Sequence, residues 1–371
     1  MTAVYNGAMN PLDENRENKL IALARAMVNQ EKARIIVPAM RPASGFWFGG
    51  GNMAQDPRDG SLYLVGRYRN AGDSRSGLGL GERGAELTIF RSDDRGANWR
   101  KVVSFSKSDL KVPGREVVSI EGSALHFTPG GGGVELFVST EKTGIAYPPG
   151  LESFLKPGTG VWTIERLEAP GIEDLKSAKP ATILESADPE YLHIKDPFVY
   201  DAPNGETVLY FCSHPFSWSS SNCGYAPRKG ETFGPPVFDF FRRGTTWDVA
   251  ITRGTCVVDV PGTGASLLFY DGGECLRPHD QHSHAIKRPR GYSCEEIGGV
   301  AYMTAVGDTP RRLSRTLPFF TSPRGTGCSR YVQVLRTGDG YHVTWQQSQE
   351  DLSQPLVMHT LSHAQAAAIL A

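Results

Sequence analysis

Two acids stand at the openings of apolar strands. Glu121 lies in Ser119-Ile120-Glu121-Gly122-Ser123-Ala124-Leu125-His126-Phe127, and Asp196 lies in His193-Ile194-Lys195-Asp196-Pro197-Phe198-Val199-Tyr200. Brought into one cavity, such a pair does acid and base work at an acetal carbon. One carboxyl protonates the leaving oxygen while the other attacks, or activates water, from the opposite face. A second group of candidates closes a later hairpin, Tyr270-Asp271-Gly272-Gly273-Glu274, and runs on into His279-Asp280-Gln281-His282-Ser283-His284. Asp271, Glu274 or one of these histidines would complete the site, since imidazole titrates near neutrality. His279, His282 and His284 would also hold a metal ion if the three converge, and a plain surface loop is the third reading of the same residues.

Other residue types suit binding. Arg67 and Arg69, in Val65-Gly66-Arg67-Tyr68-Arg69, carry guanidinium forks that match a carboxylate or several hydroxyls, so they would orient an acidic sugar. A charge-paired strand end is the plain alternative for both. Phe46, Trp47, Phe48, Trp218 and Trp345 offer flat faces for a sugar ring, Trp47 and Trp218 foremost, although most tryptophans in such a fold fill space between sheets. Asn52, in Gly49-Gly50-Gly51-Asn52-Met53-Ala54, can bind but is no base at neutral pH. Asp56 follows at a turn and reads as a hairpin residue. His214 and Tyr225 gain weight if the chemistry is instead proton abstraction beside a uronate carboxylate that Arg67 and Arg69 neutralise.

The elements that would position these groups recur along the chain. From Phe46 onward a short strand, a glycine-containing turn and a strongly apolar, aromatic strand repeat five times. The second strands are Leu62 to Val65, Val134 to Val138, Val208 to Phe211, Leu267 to Tyr270 and Tyr341 to Trp345. Their turns, Asp59-Gly60, Gly130 to Gly133, Asn204-Gly205, Gly262 to Gly264 and Asp339-Gly340, suit tight hairpins. Outer strands fit the gaps at Glu86 to Arg91, Val161 to Arg166, Trp247 to Arg253, Gly299 to Val306 and Pro355 to Leu361. The fold class is therefore all-β: a five-bladed β-propeller over residues 41–371, whose innermost strands line an axial funnel, preceded by a helical extension over residues 1–40. Leu12 to Arg34 carries that helix, and its apolar side packs on the propeller or on a second copy of the chain.

Two resemblances sharpen this reading. Ser92-Asp93-Asp94-Arg95-Gly96-Ala97-Asn98-Trp99 resembles the Asp-box of sialidases and related propellers, in which the carboxylate ties an outer turn, so Asp94 is structural. Ile194-Lys195-Asp196-Pro197-Phe198-Val199 and Glu121-Gly122-Ser123-Ala124 resemble segments of the five-bladed clan of invertases, arabinanases and β-xylosidases. That resemblance implies a glycoside hydrolase with Asp196 and Glu121 as its central carboxylates and a carbohydrate as its partner. It implies a third acid as well. The chain departs there: Asn52 stands at the nearest equivalent of the blade-one aspartate, and Thr255-Cys256-Val257-Val258 offers no glutamate in blade four. A polysaccharide lyase and a non-catalytic carbohydrate- or protein-binding propeller are the competing expectations.

Composition sets the remaining bounds. Among 371 residues, 39 basic side chains stand against 40 acidic ones, so no overall field draws the chain to nucleic acid or to an anionic membrane. Lys287-Arg288-Pro289-Arg290 is a short basic run that reads as a solvated loop. The 42 glycines and 25 prolines are spread throughout, as many turns require. The start lacks a secretory pattern, and no apolar run reaches the ~18 residues of a membrane span, so a cytoplasmic protein with reduced cysteines is expected.

Overall fold

The computed structural model describes residues 12–70, 84–155, 157–274 and 296–371. Five antiparallel sheets form a five-bladed β-propeller with an N-terminal helix. In blade one the inner strand is split into Trp47–Gly49 and Met53–Gln55, followed outward by Leu62–Arg69, Glu86–Ser92 and Arg100–Ser106. Blade two runs Val117–Phe127, Val134–Lys142, Val161–Ala169 and Ala181–Leu184. Blade three runs His193–Asp201, Thr207–His214 and Asn222–Lys229, with Val237–Phe241 outermost. Blade four runs Ile251–Val260, Ala265–Gly273, Ile297–Met303 and Arg311–Arg312.

Blade five is assembled from both ends of the chain. Ser329–Arg336, Gly340–Gln347 and Leu356–Ser362 come from the C-terminal end, and Arg34–Val37 adds the outermost strand, pairing Arg34 with Met358 and Ile35 with Val357. The propeller therefore begins before residue 41, because the segment after the helix is needed to complete its last sheet.

The helix, α1 (Glu14–Met27), starts at Asp13, whose side chain accepts from the Arg16 N–H. Leu20, Leu23, Ala24 and Met27 are fully buried against blades four and five, in one cluster with Phe269, Tyr302 and Trp345. Its apolar side is thus covered within the chain. A short C-terminal helix, α2 (His363–Leu370), packs beside it behind a Ser362/Gln365 capping box. Its Ala-rich sequence carries too little amphipathic signal to announce it beforehand.

Two expectations about strands and fillers are corrected. Trp247 to Arg253 is not the outer strand of blade three; Asn222–Lys229 takes that place, and residues from Ile251 onward open blade four. Trp247 packs on Tyr270 instead, its indole N–H donating to Ser314 O. Trp345 and Phe48 are core fillers with no exposed surface. The turn from Ser92 to Trp99 is closed by Asp94, whose Oδ1 accepts from Ser92 Oγ and from the Asn98 N–H, both at 2.8 Å. Cys212, Cys223 and Cys256 are buried free thiols, and Cys328 is buried as well.

One feature of the inner strands positions everything below. Each loses register with its neighbour near the same depth: between Gly49 and Met53, Ile120 and Ser123, Lys195 and Phe198, Gly254 and Cys256, and Arg330 and Gln333. These are β-bulges, and a bulge re-aims the side chain that it carries. Gly50, Asp196 and Tyr331 adopt positive φ there, at 70°, 53° and 55°. For Asp196 and Tyr331 that conformation is strained and is held by the surrounding contacts.

Candidate active site

The axial cavity is lined by the bulges themselves: Gly50 and Gly51, Gly122 and Ser123, Asp196, Thr255 and Tyr331. Around it the structure gathers the charged ends of neighbouring strands. Glu121, buried to 1% exposure, receives two hydrogen bonds, from Arg69 Nη2 at 3.1 Å and from Ser119 Oγ at 2.8 Å. Arg67 Nη2 lies 3.6 Å from the same Glu121 oxygen and 3.9 Å from Asp196 Oδ1. The two acids singled out in the sequence therefore meet at one guanidinium.

Backbone geometry makes this meeting close. Asp196 Oδ1 accepts the Gly122 N–H at 3.0 Å, and the Ser123 N–H donates to Gly50 O at 2.9 Å, so blades one, two and three are stitched at their bulges. A Cβ at Gly122 would lie 2.4 Å from Asp196 Oδ1, and one at Gly50 would lie 1.7 Å from Arg67 Nη1. Only glycine admits these approaches. Asn52 adds another stitch, its amide both donating to Leu125 O and accepting from the Leu125 N–H. Its polar atoms are thus committed to blade two.

A second centre mirrors the first across the ring. Glu296 is clamped by Arg253 Nη1 and by Arg330 Nη1, the latter at 2.6 Å. Asp271, fully buried beside it, accepts the Tyr331 N–H on both oxygens, at 3.0 and 3.1 Å. Tyr331 accepts from Arg67 Nη2 at 3.2 Å and so joins the two centres. Among the described residues the Tyr331 hydroxyl accepts that bond and has no acceptor for its own hydrogen.

The environments split these acids. Burial pushes Glu121 up, but Arg69, Lys195 and Arg67 outweigh it and hold the carboxyl well below its usual range. Glu296 follows the same pattern, with Arg253 and Arg330 overcoming the cost of burial. Asp271 goes the other way, raised by burial and by the negative charge of Glu296. His214 is fully buried, and burial together with Arg253 and Lys195 keeps it neutral.

The remaining sequence candidates divide. Trp47 is buried among Arg67, Arg69 and Arg330, whose guanidinium carbons lie 5.0, 5.2 and 4.6 Å from its ring centre, so its face serves the cations. Trp218, with φ of 60° and partial exposure, stands against Trp162 and His214 near Lys195. Glu274 is exposed at the end of the blade-four hairpin. Tyr225 packs against Tyr210 and Phe240 on the third strand of blade three, away from the inner strands. Asp56 is bound by Arg58 at a hairpin. His279, His282 and His284 lie outside the described residues, and among the described residues no group of three His, Cys, Asp or Glu side chains is placed to hold a metal ion. Among the described residues no helix is long and apolar enough to cross a membrane.

Sequence reasoning missed Lys195, Arg253, Glu296, Arg330 and Tyr331. A signal for two of them existed. Aligning the five hairpins by their glycine turns places Tyr331 at the bulge position of Asp196, and Arg330 at that of Lys195.

No family model and no curated protein matches this chain. Solved structures do resemble it. A thermostable family-43 glycoside hydrolase superposes with a TM-score of 0.57 at 12% identity, covering 86% of this chain and 91% of that one. An α-L-arabinofuranosidase from Lactobacillus brevis gives 0.56 at 11%, over 89% and 93%. A GH43_1 enzyme from Xanthomonas citri complexed with xylotriose gives 0.55 at 12%, over 93% of each chain. At such identities the likeness is one of fold.

Proposed function

We propose that this chain is a glycoside hydrolase whose reaction takes place at the axial cavity, with Asp196 as the carboxylate that acts on the sugar. The observation that carries the reading is the convergence of Asp196 and Glu121, 75 positions apart in order, on the single guanidinium of Arg67. Asp196 lines the cavity and is offered to it by a bulge, whereas Glu121 is held by Arg69 and Ser119. In this reading Asp196 is the base or nucleophile, and Glu121 positions Arg67 and Arg69. Tyr331 donates a hydrogen bond from across the cavity. Glu274, exposed at the rim of the blade-four hairpin, is the proton donor. The structural neighbours named above, one complexed with xylotriose, support a carbohydrate substrate. The turn from Ser92 to Trp99 belongs to the scaffold as an Asp-box, with no part in the chemistry.

A lyase reading has one observation in its favour, the neutral, buried His214 beside Arg253, with Nε2 3.5 Å from the guanidinium. One experiment separates the two. A panel of oligosaccharides incubated with the enzyme is expected to yield reducing ends without new ultraviolet absorbance, and Asp196→Asn is expected to abolish that release while remaining folded. Unsaturated, absorbing products would establish the lyase. Normal turnover by Asp196→Asn would remove that residue from the mechanism.

A further inference from the structure

Among the described residues, Lys195 is the cation of this site that has no hydrogen-bonded acceptor. Its side chain is 8% exposed, and its ammonium lies 3.8 Å from Glu121 Oε2 and 3.8 Å from Asp196 Oδ2, beyond hydrogen-bond reach of either. Both of those acids are already served: Glu121 by Arg69 and Ser119, Asp196 by the Gly122 N–H and, weakly, by Cys212 Sγ at 3.6 Å. Two indoles flank the ammonium, with ring centres 5.8 Å away for Trp162 and 5.5 Å for Trp218. A buried ammonium has three donors to satisfy, and an aromatic face answers only part of that need.

The charge around it points the same way. Among the described residues, Glu121 faces Arg67 and Arg69, and Glu296 faces Arg253 and Arg330, so two carboxylates meet four guanidiniums. Lys195 and Asp196 add one charge of each sign, and with Asp271 counted as ionised five cations still face four carboxylates. The centre is left with surplus positive charge in a low-dielectric setting, where an incoming anion gains far more than it would in water.

We infer that Lys195 is the seat of an anionic oxygen group carried by the substrate, a carboxylate or a sulfate ester, with the sugar ring that bears it resting against Trp218. The substrate class is therefore an acidic glycan. This rests on the hydrolase reading only for the identity of the ligand as a sugar, because the anion site itself is tested by binding and not by turnover.

The test is calorimetric titration of the full chain with a galacturonate oligomer, its fully methyl-esterified counterpart, a sulfated galactan oligomer and a neutral xylo-oligosaccharide. At least one acidic probe is expected to bind about tenfold or more tighter than both uncharged probes, with affinity falling as salt rises. The carboxylate and sulfate arms tell the two anions apart. Lys195→Gln is expected to erase the preference and Lys195→Arg to retain it, both being checked for an unchanged melting transition. If Lys195→Gln does not fold, Lys195→Arg and the esterified probe still decide the matter. Equal binding of charged and uncharged probes, no binding of either acidic probe, or an undiminished preference in Lys195→Gln would overturn the inference. Binding of an acidic probe without release of reducing ends would refute the hydrolase reading and leave the anion site standing.

Discussion

The Gly122 N–H donates to Asp196 Oδ1 at 3.0 Å, so the carboxylate assigned to chemistry in blade three is held by the backbone of blade two. Neither blade presents the group alone. The bond fixes the rotamer of a side chain whose own backbone sits at φ 53°, and the absent Cβ of Gly122 is what lets the two strands approach. Placement of the proposed catalytic group in this ring is a property of the seams between blades.

Gly122→Ala tests that seam. The added methyl would lie 2.4 Å from Asp196 Oδ1 and 2.7 Å from its Cα, so the carboxylate must swing away or the strands must part. Overpacking of a tight site costs about 1 to 3 kcal/mol. The expected outcome is a folded protein with a melting temperature a few degrees lower and a loss of kcat far larger than that change in stability explains. Equal, small losses in both would show that Asp196 needs no such support.

His126 ties blades two and three at a different level, with Nδ1 2.8 Å from Glu135 and Nε2 3.0 Å from Asp201. Burial opposes its charge, but Asp201 and Glu135 win and raise the imidazole to about 9. Because the folded value lies above the unfolded one, the contribution is complete below pH ~6.5 and disappears as pH rises through about 9. A rise of this size corresponds to an upper bound on the order of 3 kcal/mol. His126→Ala should therefore cost most stability near pH 6 and markedly less at pH 10, as read by denaturant titration at both. A pH-independent cost would mean that packing, and not charge, dominates.

Leu23 faces the propeller from α1 with no exposed surface. Leu23→Ala leaves a cavity against blades four and five, and such truncations cost about 2 to 5 kcal/mol. Chemical denaturation should show a lowered midpoint with little change in slope. A loss well under 1 kcal/mol would mean that the helix is a dispensable attachment.

What the sequence made legible follows from where order and space coincide. The second strand of each blade is buried on both faces, so Val208 to Phe211 or Leu267 to Tyr270 read as continuous apolar runs, and the glycine turns before them mark the hairpins. Asp196 and Glu121 were visible because they stand where apolar inner strands open. The inner strands were harder, since their bulges break the alternation that identifies a strand and let a tyrosine take the place an aspartate occupies two blades earlier. Arg253, Glu296 and Arg330 were invisible for another reason. Their charges are tolerable in the interior because Arg253 from blade four and Arg330 from blade five both close on Glu296, and pairing between strands distant in sequence has no local signature. Asn52 looked like a binding residue until its amide was found stitched to Leu125.

Arg34–Val37 completes a sheet whose other strands end at Ser362, which makes an early segment of this sequence dependent on a late one. Blades one to four can stack in order of synthesis, but the circle stays open until residues near 358 arrive to receive the waiting strand. Long-range closure of this kind makes folding slow. The geometry of Arg330 and Tyr331, on the innermost strand of that same sheet, and with it the junction of the two charged centres, depends on that closure.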